Sequence, residues 1–303
     1  MKKTVLIFGI TSFVGSNLAE VLSKKFKVVG TYFTEAQSIS QDYQLVQCDV
    51  TNKEEVTKTV QFFRPDYVLY AVGESSLIKA KQNGKASEAI ITNGAINCLN
   101  ASERAGALFI YLSSAYVFSG ENKLFKEADT PFSQTTYGTL VANTEFLIQR
   151  SSLHYLILRC PVLYGLSYSS KKKNLFELLQ LSHFAEKKIT LDDSVELGFL
   201  DIHLLGRFLI TLLEKGVVNR LLQITTKDYM TTFGFAQKYA DVFKVSRAFF
   251  EPSTDTFPQE TKAGSNLSFK MDISNTESRI GIMMPTIEET LEFTYKRLNE
   301  KSS

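Results

Sequence analysis

Thr4-Val5-Leu6-Ile7-Phe8, then Gly9-Ile10-Thr11-Ser12-Phe13-Val14-Gly15, then Ser16-Asn17-Leu18-Ala19-Glu20-Val21-Leu22, open the chain, and their joint reading sets the fold. An apolar run with no polar interruption suits a parallel strand covered by helices on both faces. Phe13, Val14, Leu18, Val21 and Leu22 recur at helical spacing, so the helix that follows lays an apolar stripe on the sheet. The free amides of its first turn and the positive end of its dipole form an anion site, which a dinucleotide pyrophosphate commonly fills in a strand-turn-helix unit. Gly9 permits the tight turn, and Gly15 lets helix and strand approach closely. Ser12 stands where the dinucleotide fingerprint has its middle glycine, so its hydroxyl either donates to phosphate or displaces it by bulk. The expected fold class is α/β, a Rossmann-type doubly wound parallel sheet.

At 303 residues the chain can bury a sizeable core. Lysine plus arginine (34) nearly balance aspartate plus glutamate (32), which argues against nucleic acid as a partner. The one basic block, Lys171-Lys172-Lys173, reads as a solvated loop. Cys48, Cys98 and Cys160 are far apart in apolar surroundings, as expected of buried thiols in a reducing compartment, and no metal-ligand spacing appears. The opening apolar run ends at Gly9 without a small-residue cleavage site, and no stretch is long enough to span a bilayer. The expectation is a cytoplasmic protein with no membrane partner.

Lys27 to Tyr32 is the second strand, at whose end a dinucleotide site usually presents an acid to the adenine ribose. Here stand Thr31, Tyr32, Phe33 and Thr34, which tilts the expectation toward NADP over NAD, with Glu35 keeping both open. A third strand runs from Leu45 toward Asp49, Val50 and Thr51; Asp49 either contacts adenine or caps the helix that begins near Asn52. The fourth, from Pro65, ends in Ala71-Val72-Gly73, whose small residues leave room for a ligand at the sheet crevice. A helix around Ala86 to Ala105 carries Asn93, and the fifth strand, from Ala107, ends in Ser113-Ser114-Ala115-Tyr116-Val117-Phe118, where hydroxyls gather.

These segments, with Cys48-Asp49-Val50-Thr51, Arg64-Pro65-Asp66-Tyr67-Val68, Thr92-Asn93-Gly94, Leu112 to Gly120, Glu127-Ala128-Asp129-Thr130-Pro131, Tyr137-Gly138 and Leu158 to Gly165, resemble the extended short-chain dehydrogenase/reductase family, in the branch that contains dTDP-4-dehydrorhamnose reductase. The resemblance spans most of the chain. It implies a smaller interleaved C-terminal substrate domain, with residues 1–160 forming the dinucleotide domain, segments near 198–225 and 268–275 returning to it, and 161–303 mainly binding substrate. It also implies NADP or NAD as cofactor, a nucleotide sugar as substrate and a homodimer as a possible assembly. Tyr137 would protonate the carbonyl oxygen that Ser114 orients. Thr11, Phe13, Val14, Tyr32, Val50, Ala71, Val72, Asn93, Cys160 and Val162 would join Gly9, Ser12, Gly15, Asp49, Gly73 and Tyr137 around the cofactor.

The family's lysine, four residues beyond the tyrosine, is here Val141. A free phenol has a pKa of about 10, and an ammonium one helical turn away on the same face would stabilise its phenolate. Valine supplies no charge and no hydrogen bond. Lys123, Lys126 or a lysine from elsewhere could take over only through the tertiary fold.

Farther on, Gly198 to Gly206 resembles a strand-to-helix segment that carries paired aspartates in relatives, here interrupted by Leu204; His203 within it reads as a capping or packing residue. Leu221 to Ile224 reads as a strand, Thr231 to Phe243 as a helix, Thr254 to Ser268 as a surface loop and Thr286 to Leu298 as the terminal helix. Two functions follow: a reductase of nucleotide-linked 4-keto sugars impaired at Val141, or a cofactor- or sugar-nucleotide-binding regulatory or scaffold protein without chemistry.

Overall fold

The first strand is the pivot of the sheet. The computed structural model describes residues 2–34, 43–73, 77–151, 154–168, 173–254 and 267–300; Glu35, Lys171, Lys172 and most of the stretch from Thr254 to Ser268 lie outside them, and the last two residues of that stretch, Leu267–Ser268, form a buried strand where the sequence suggests a surface loop. Seven strands form one sheet: β1 (Thr4–Phe8), β2 (Lys27–Tyr32), β3 (Gln44–Gln47), β4 (Tyr67–Tyr70), β5 (Leu108–Ser114), β6 (Tyr155–Cys160) and β7 (Arg220–Gln223). Their order is β7-β6-β5-β4-β1-β2-β3 and every pairing is parallel. The order reverses between β1 and β4, which opens a crevice at the carboxyl ends of those strands. Alternate residues of β1 serve different layers: Leu6 and Phe8 enter one apolar cluster, Val5 and Ile7 the other, and all four are fully buried. That is the reason for the uninterrupted apolar run.

The turn after β1 works as its glycines suggest. Gly9 has φ +80°, and a Cβ on Gly15 would lie 2.2 Å from the Gly9 carbonyl oxygen. The helix Phe13–Leu22 can therefore sit on the strand end only with glycine there. Gly15→Ala is expected to destabilise the chain by about 3 kcal/mol, because backbone rather than a movable side chain blocks the methyl. A urea midpoint unchanged from the parent chain would refute this.

The long helix departs from the sequence expectation. Gly84–Glu88 and Ala95–Ala105 are α-helical, but Ala89–Gly94 between them is a π-helix. Its cause lies on a neighbouring strand: the Tyr70 hydroxyl donates to the Ile90 carbonyl at 2.5 Å and draws it out of the α ladder. A Cβ at Gly94 would fall 2.5 Å from the same hydroxyl.

Of the later segments, Arg220–Gln223 enters the sheet as β7. Phe199–Asp201 pairs instead with Val162–Tyr164, Leu267–Ser268 with Val195–Glu196, and Lys270–Met271 with Leu124–Phe125, each in a two-stranded ladder away from the main sheet. The terminal helix Ile287–Glu300 buries Ile287 and Leu291 and locks the first of these ladders. Asp201 is completely buried; its carboxylate caps the helix Ile202–Glu214 and accepts from Thr294 Oγ1 at 2.6 Å and Arg297 at 3.2 Å. Among the described residues no helix is long and apolar enough to cross a membrane.

Candidate active site

The crevice between the ends of β1, β4, β5 and β6 is a cleft of about 620 Å³. Thr11, Ser12, Phe13 and Val14 form its wall beside β1, and Ala71, Val72 and Gly73 form the part beyond β4. Ser114, Tyr137, Val141, Cys160 and Val162 line the remainder, so twelve residues singled out in the sequence converge on one space. Gly9 and Gly15 shape the turn beneath it. Tyr32, Asp49, Val50 and Asn93 do not line it: Tyr32 and Asp49 lie at the ends of β2 and β3, and Asn93 is exposed on the π-helix. Beside it on that helix, Ile91 lines the cleft, while Thr92 turns inward to accept from Thr144 Oγ1 at 3.0 Å.

At the turn, Ser12 Oγ donates to the Ala71 carbonyl at 2.9 Å and accepts from the Gly15 amide at 2.9 Å. The hydroxyl proton is therefore spent on β4, and the serine acts as a helix cap and cross-strand tie rather than as a phosphate donor. The Phe13 and Val14 amides have no protein acceptor among the described residues. They stand at the positive end of a ten-residue helix, which suits them to a pyrophosphate.

Asp49 is neither cap nor free. Its carboxylate accepts from Thr51 N at 2.9 Å and Thr51 Oγ1 at 2.8 Å, and the helix Lys53–Phe63 is capped by Asn52 instead. The cap reading of Asp49 is thus corrected: a carboxylate already folded into its own turn leaves the cap to the residue adjacent to the helix.

Tyr137 sits in the first turn of the helix Thr136–Gln149, whose cap Thr135 accepts from Gly138 N. A Cβ on Gly138 would lie 1.9 Å from the Tyr116 carbonyl oxygen, so this helix start is pressed against the segment after β5, where Ser114 accepts from Tyr116 N. Tyr137 meets Tyr116 edge to face at 6.4 Å. Burial pushes the phenols of Tyr111 and Tyr116 well up, with Tyr137 adding to both. Cys160, also on the cleft, is pushed up by burial to about 12, so it is a neutral thiol.

Val141 is 2% exposed and faces the cleft one turn from Tyr137. No substitute ammonium comes from the nearby lysines: Lys123 Nζ lies over the Phe125 ring, 3.9 Å from Asp129, and neither it nor Lys126 lines the cleft. Among the described residues the cleft's one charged side chain is Lys173, 3.5 Å from Glu177. Its neighbour Asn174 is bonded to the Gly165 carbonyl, and Gly165 lies against the ring of Phe13, which sets this lysine on the wall by the opening turn. His203 does not reach the cleft; its Nε2 is 3.0 Å from Asn17 Oδ1, as expected of a packing residue. Leu204 packs against the second apolar cluster.

Sequence reasoning missed the floor of the site. Two turns beyond Tyr137, Glu145 is fully buried and takes Arg159 Nε at 2.9 Å and Arg159 Nη2 at 2.7 Å. Ser113 Oγ donates to the same carboxylate, and the guanidinium lies 4.8 Å over the Phe118 ring. Ser113 and Arg159 are register partners in β5 and β6, as are Ser114 and Cys160 directly above. The spacing Tyr137, Val141, Glu145 on one helical face was the available signal.

The RmlD substrate binding domain model matches residues 1–300. The chain belongs to that family. Three proteins that it resembles are distant in sequence. Methionine adenosyltransferase 2 subunit beta of Rattus norvegicus is 23% identical over 84% of this chain and 76% of its own length. The probable low-salt glycan biosynthesis reductase Agl14 of Haloferax volcanii is 23% identical over 94% of this chain and 95% of its own. The structure of dTDP-4-dehydrorhamnose reductase from Bacillus anthracis, in complex with NADP, superposes with a TM-score of 0.83 at 20% identity over 98% of this chain and 99% of that one. That likeness shows that this RmlD-family chain has the reductase fold.

Proposed function

We propose that the cleft binds NADP(H) or NAD(H), with a nucleotide-linked sugar beside Tyr137, and that reduction of a 4-keto group on that sugar is slow. The fit to a dinucleotide rests on the Phe13 and Val14 amides, unpartnered among the described residues, above two glycines that no larger residue could replace. When bound, the reduced cofactor would supply the hydride. Ser114 Oγ, which accepts from Tyr116 N, keeps its own proton to orient a carbonyl oxygen. The Tyr137 hydroxyl would donate the proton, leaving a phenolate.

One observation carries the word slow: the wall beside that phenolate is Val141. A phenolate amid neutral phenols and valine gains no Coulombic support. The same observation favours a second reading, a regulatory subunit that binds the dinucleotide without turnover, and relatives called subunit beta of methionine adenosyltransferase 2 add to it.

Calorimetric titration with NADPH and NADH, followed by absorbance assays with nucleotide-linked 4-keto sugars, tests the proposal. NADPH is expected to bind saturably and more tightly than NADH, since Thr31 to Thr34 present no acid to a 2'-phosphate. Turnover is expected below about 1 s⁻¹, under the usual range of enzymes. Failure of both dinucleotides to bind would overturn the proposal, and turnover within the usual range would overturn its slow step.

A further inference from the structure

The edge of the sheet opposite the cleft carries a charge that the chain as a whole does not. All seven strands are parallel, so their amino ends, and the carboxyl ends of the helices that feed them, lie along one edge. Lys2 and Lys3 precede β1, Lys24, Lys25 and Lys27 lead from the helix Phe13–Leu22 into β2, and Arg64 caps the helix Lys53–Phe63 before β4. Arg104 is in the last turn of the helix Ala95–Ala105, Arg150 caps Thr136–Gln149, and Lys215 and Arg220 bracket the turn from Ile202–Glu214 into β7. All ten are exposed. The acids on this edge are Asp66, whose carboxylate accepts from Thr4 N at 2.8 Å, Glu103, and Glu214, 3.5 Å from Lys25. Among the described residues the edge therefore has an excess of seven positive charges; residues 35–42, which lead into β3, lie outside them. The chain totals 34 basic against 32 acidic residues, so everything else is net negative by five.

Helix dipoles favour a cation at each carboxyl end, but they do not account for the apolar side chains exposed beside those cations. Phe62 and Phe146, each in the last turn of its helix, are 73% and 58% exposed. The Arg150 guanidinium lies 5.4 Å over the Phe146 ring, which leaves the edge of that ring to the outside and disfavours stacking on a nucleic-acid base. Six strand spacings of about 4.8 Å spread the cations over roughly 29 Å, too wide for one small anion and suited to an extended anionic sheet. A leaflet of acidic lipids offers a negative surface potential that acts within a Debye length, and an apolar layer that can receive exposed rings.

We propose that this edge rests on an anionic membrane surface, with Phe62 and Phe146 entering the headgroup layer and the cleft, at the opposite edge, facing the solution. The lack of a spanning segment in the sequence bears on crossing a bilayer, not on resting against one. The contact does not depend on what the cleft binds.

Co-sedimentation of the full chain with vesicles tests it, using phosphatidylcholine alone and phosphatidylcholine mixed equally with phosphatidylglycerol. Binding is expected to the mixed vesicles only, and to weaken at least about tenfold as salt rises from about 0.05 to about 0.5 M. Lys24→Glu, Lys27→Glu and Arg104→Glu together take the excess from seven to one and should weaken binding at least about 100-fold, with a urea midpoint like the parent's. Phe62→Ser, which leaves every charge in place, should weaken it about fivefold. Equal binding to both vesicles, no binding to either, or mixed-vesicle binding that charge reversal leaves unchanged would overturn the inference. Binding that Phe62→Ser leaves unchanged would overturn the entry of that ring. Displacement from mixed vesicles by a random-sequence RNA or by polyglutamate at equal charge would overturn the membrane in favour of a nucleic acid or an acidic protein segment.

Discussion

Val141→Lys is expected to raise turnover of a nucleotide-linked 4-keto sugar by at least about 100-fold, the lower end of what a well-placed proton donor contributes. Val141 follows Tyr137 by four residues in one helix and lines the same cleft. A lysine stem can lie along that apolar wall while its ammonium emerges beside the phenol. There it favours the phenolate that proton donation leaves behind, and every pKa unit so gained is about 1.4 kcal/mol. Val141→Met is the control, because it matches the stem without the charge. An equal gain from methionine would make packing the cause, and no gain from lysine would mean that Val141 does not limit the chemistry. Initial rates at saturating NADPH separate these results.

The second large effect is on stability. Glu145→Ala is expected to cost about 3–5 kcal/mol, because it leaves the Arg159 guanidinium, 1% exposed, without its carboxylate. Arg159 would retain its contact with the Glu127 carbonyl at 3.4 Å, the face of Phe118 and the weaker attraction of the Glu127 carboxylate. Replacing both partners, Glu145→Leu with Arg159→Met, should recover most of that loss, since an apolar pair of similar volume needs no desolvation of charge. Urea unfolding of the two variants and the parent measures this. A double variant no more stable than Glu145→Ala would show that the pair contributes specific bonds that apolar packing cannot replace. Ser113 makes that outcome worth measuring, since its hydroxyl ties the same carboxylate to β5.

The opening turn was legible because its chemistry is local. Gly9 and Gly15 have no alternative at a φ of +80° and a 2.2 Å approach, and both consequences follow from short-range sterics. The central strands were legible for a similar reason: burial on both faces keeps Val5 to Phe8 of β1, Val68 and Leu69 of β4 and Leu108 to Ile110 of β5 apolar. What sequence could not supply was the partner of each polar atom. Ser12 looked like a phosphate group's neighbour because its acceptor, Ala71 O, is 59 residues away. Asp49 stood between an adenine contact and a helix cap, and the choice between it and Asn52 as the cap depends on where Thr51 folds back. The π-helix at Ala89–Gly94 was invisible because its cause is a tyrosine on another element. Arg159 stood only within the Leu158 to Gly165 segment of the family resemblance, because the carboxylate its charge meets is 14 residues earlier in the chain.

The tie between Asp201 and the last helix has a consequence for the order in which the molecule matures. The carboxylate that caps the Ile202–Glu214 helix is itself held by Thr294 and Arg297, and the strand it ends is the sole ladder partner of Val162–Tyr164 among the described residues. A nascent polypeptide leaving the ribosome has the dinucleotide turn, Ser114 and Tyr137 long before it has Thr294. The Val162 side of the cleft is therefore fixed last, and a newly made chain passes through a stage with one flank of its ligand site still open.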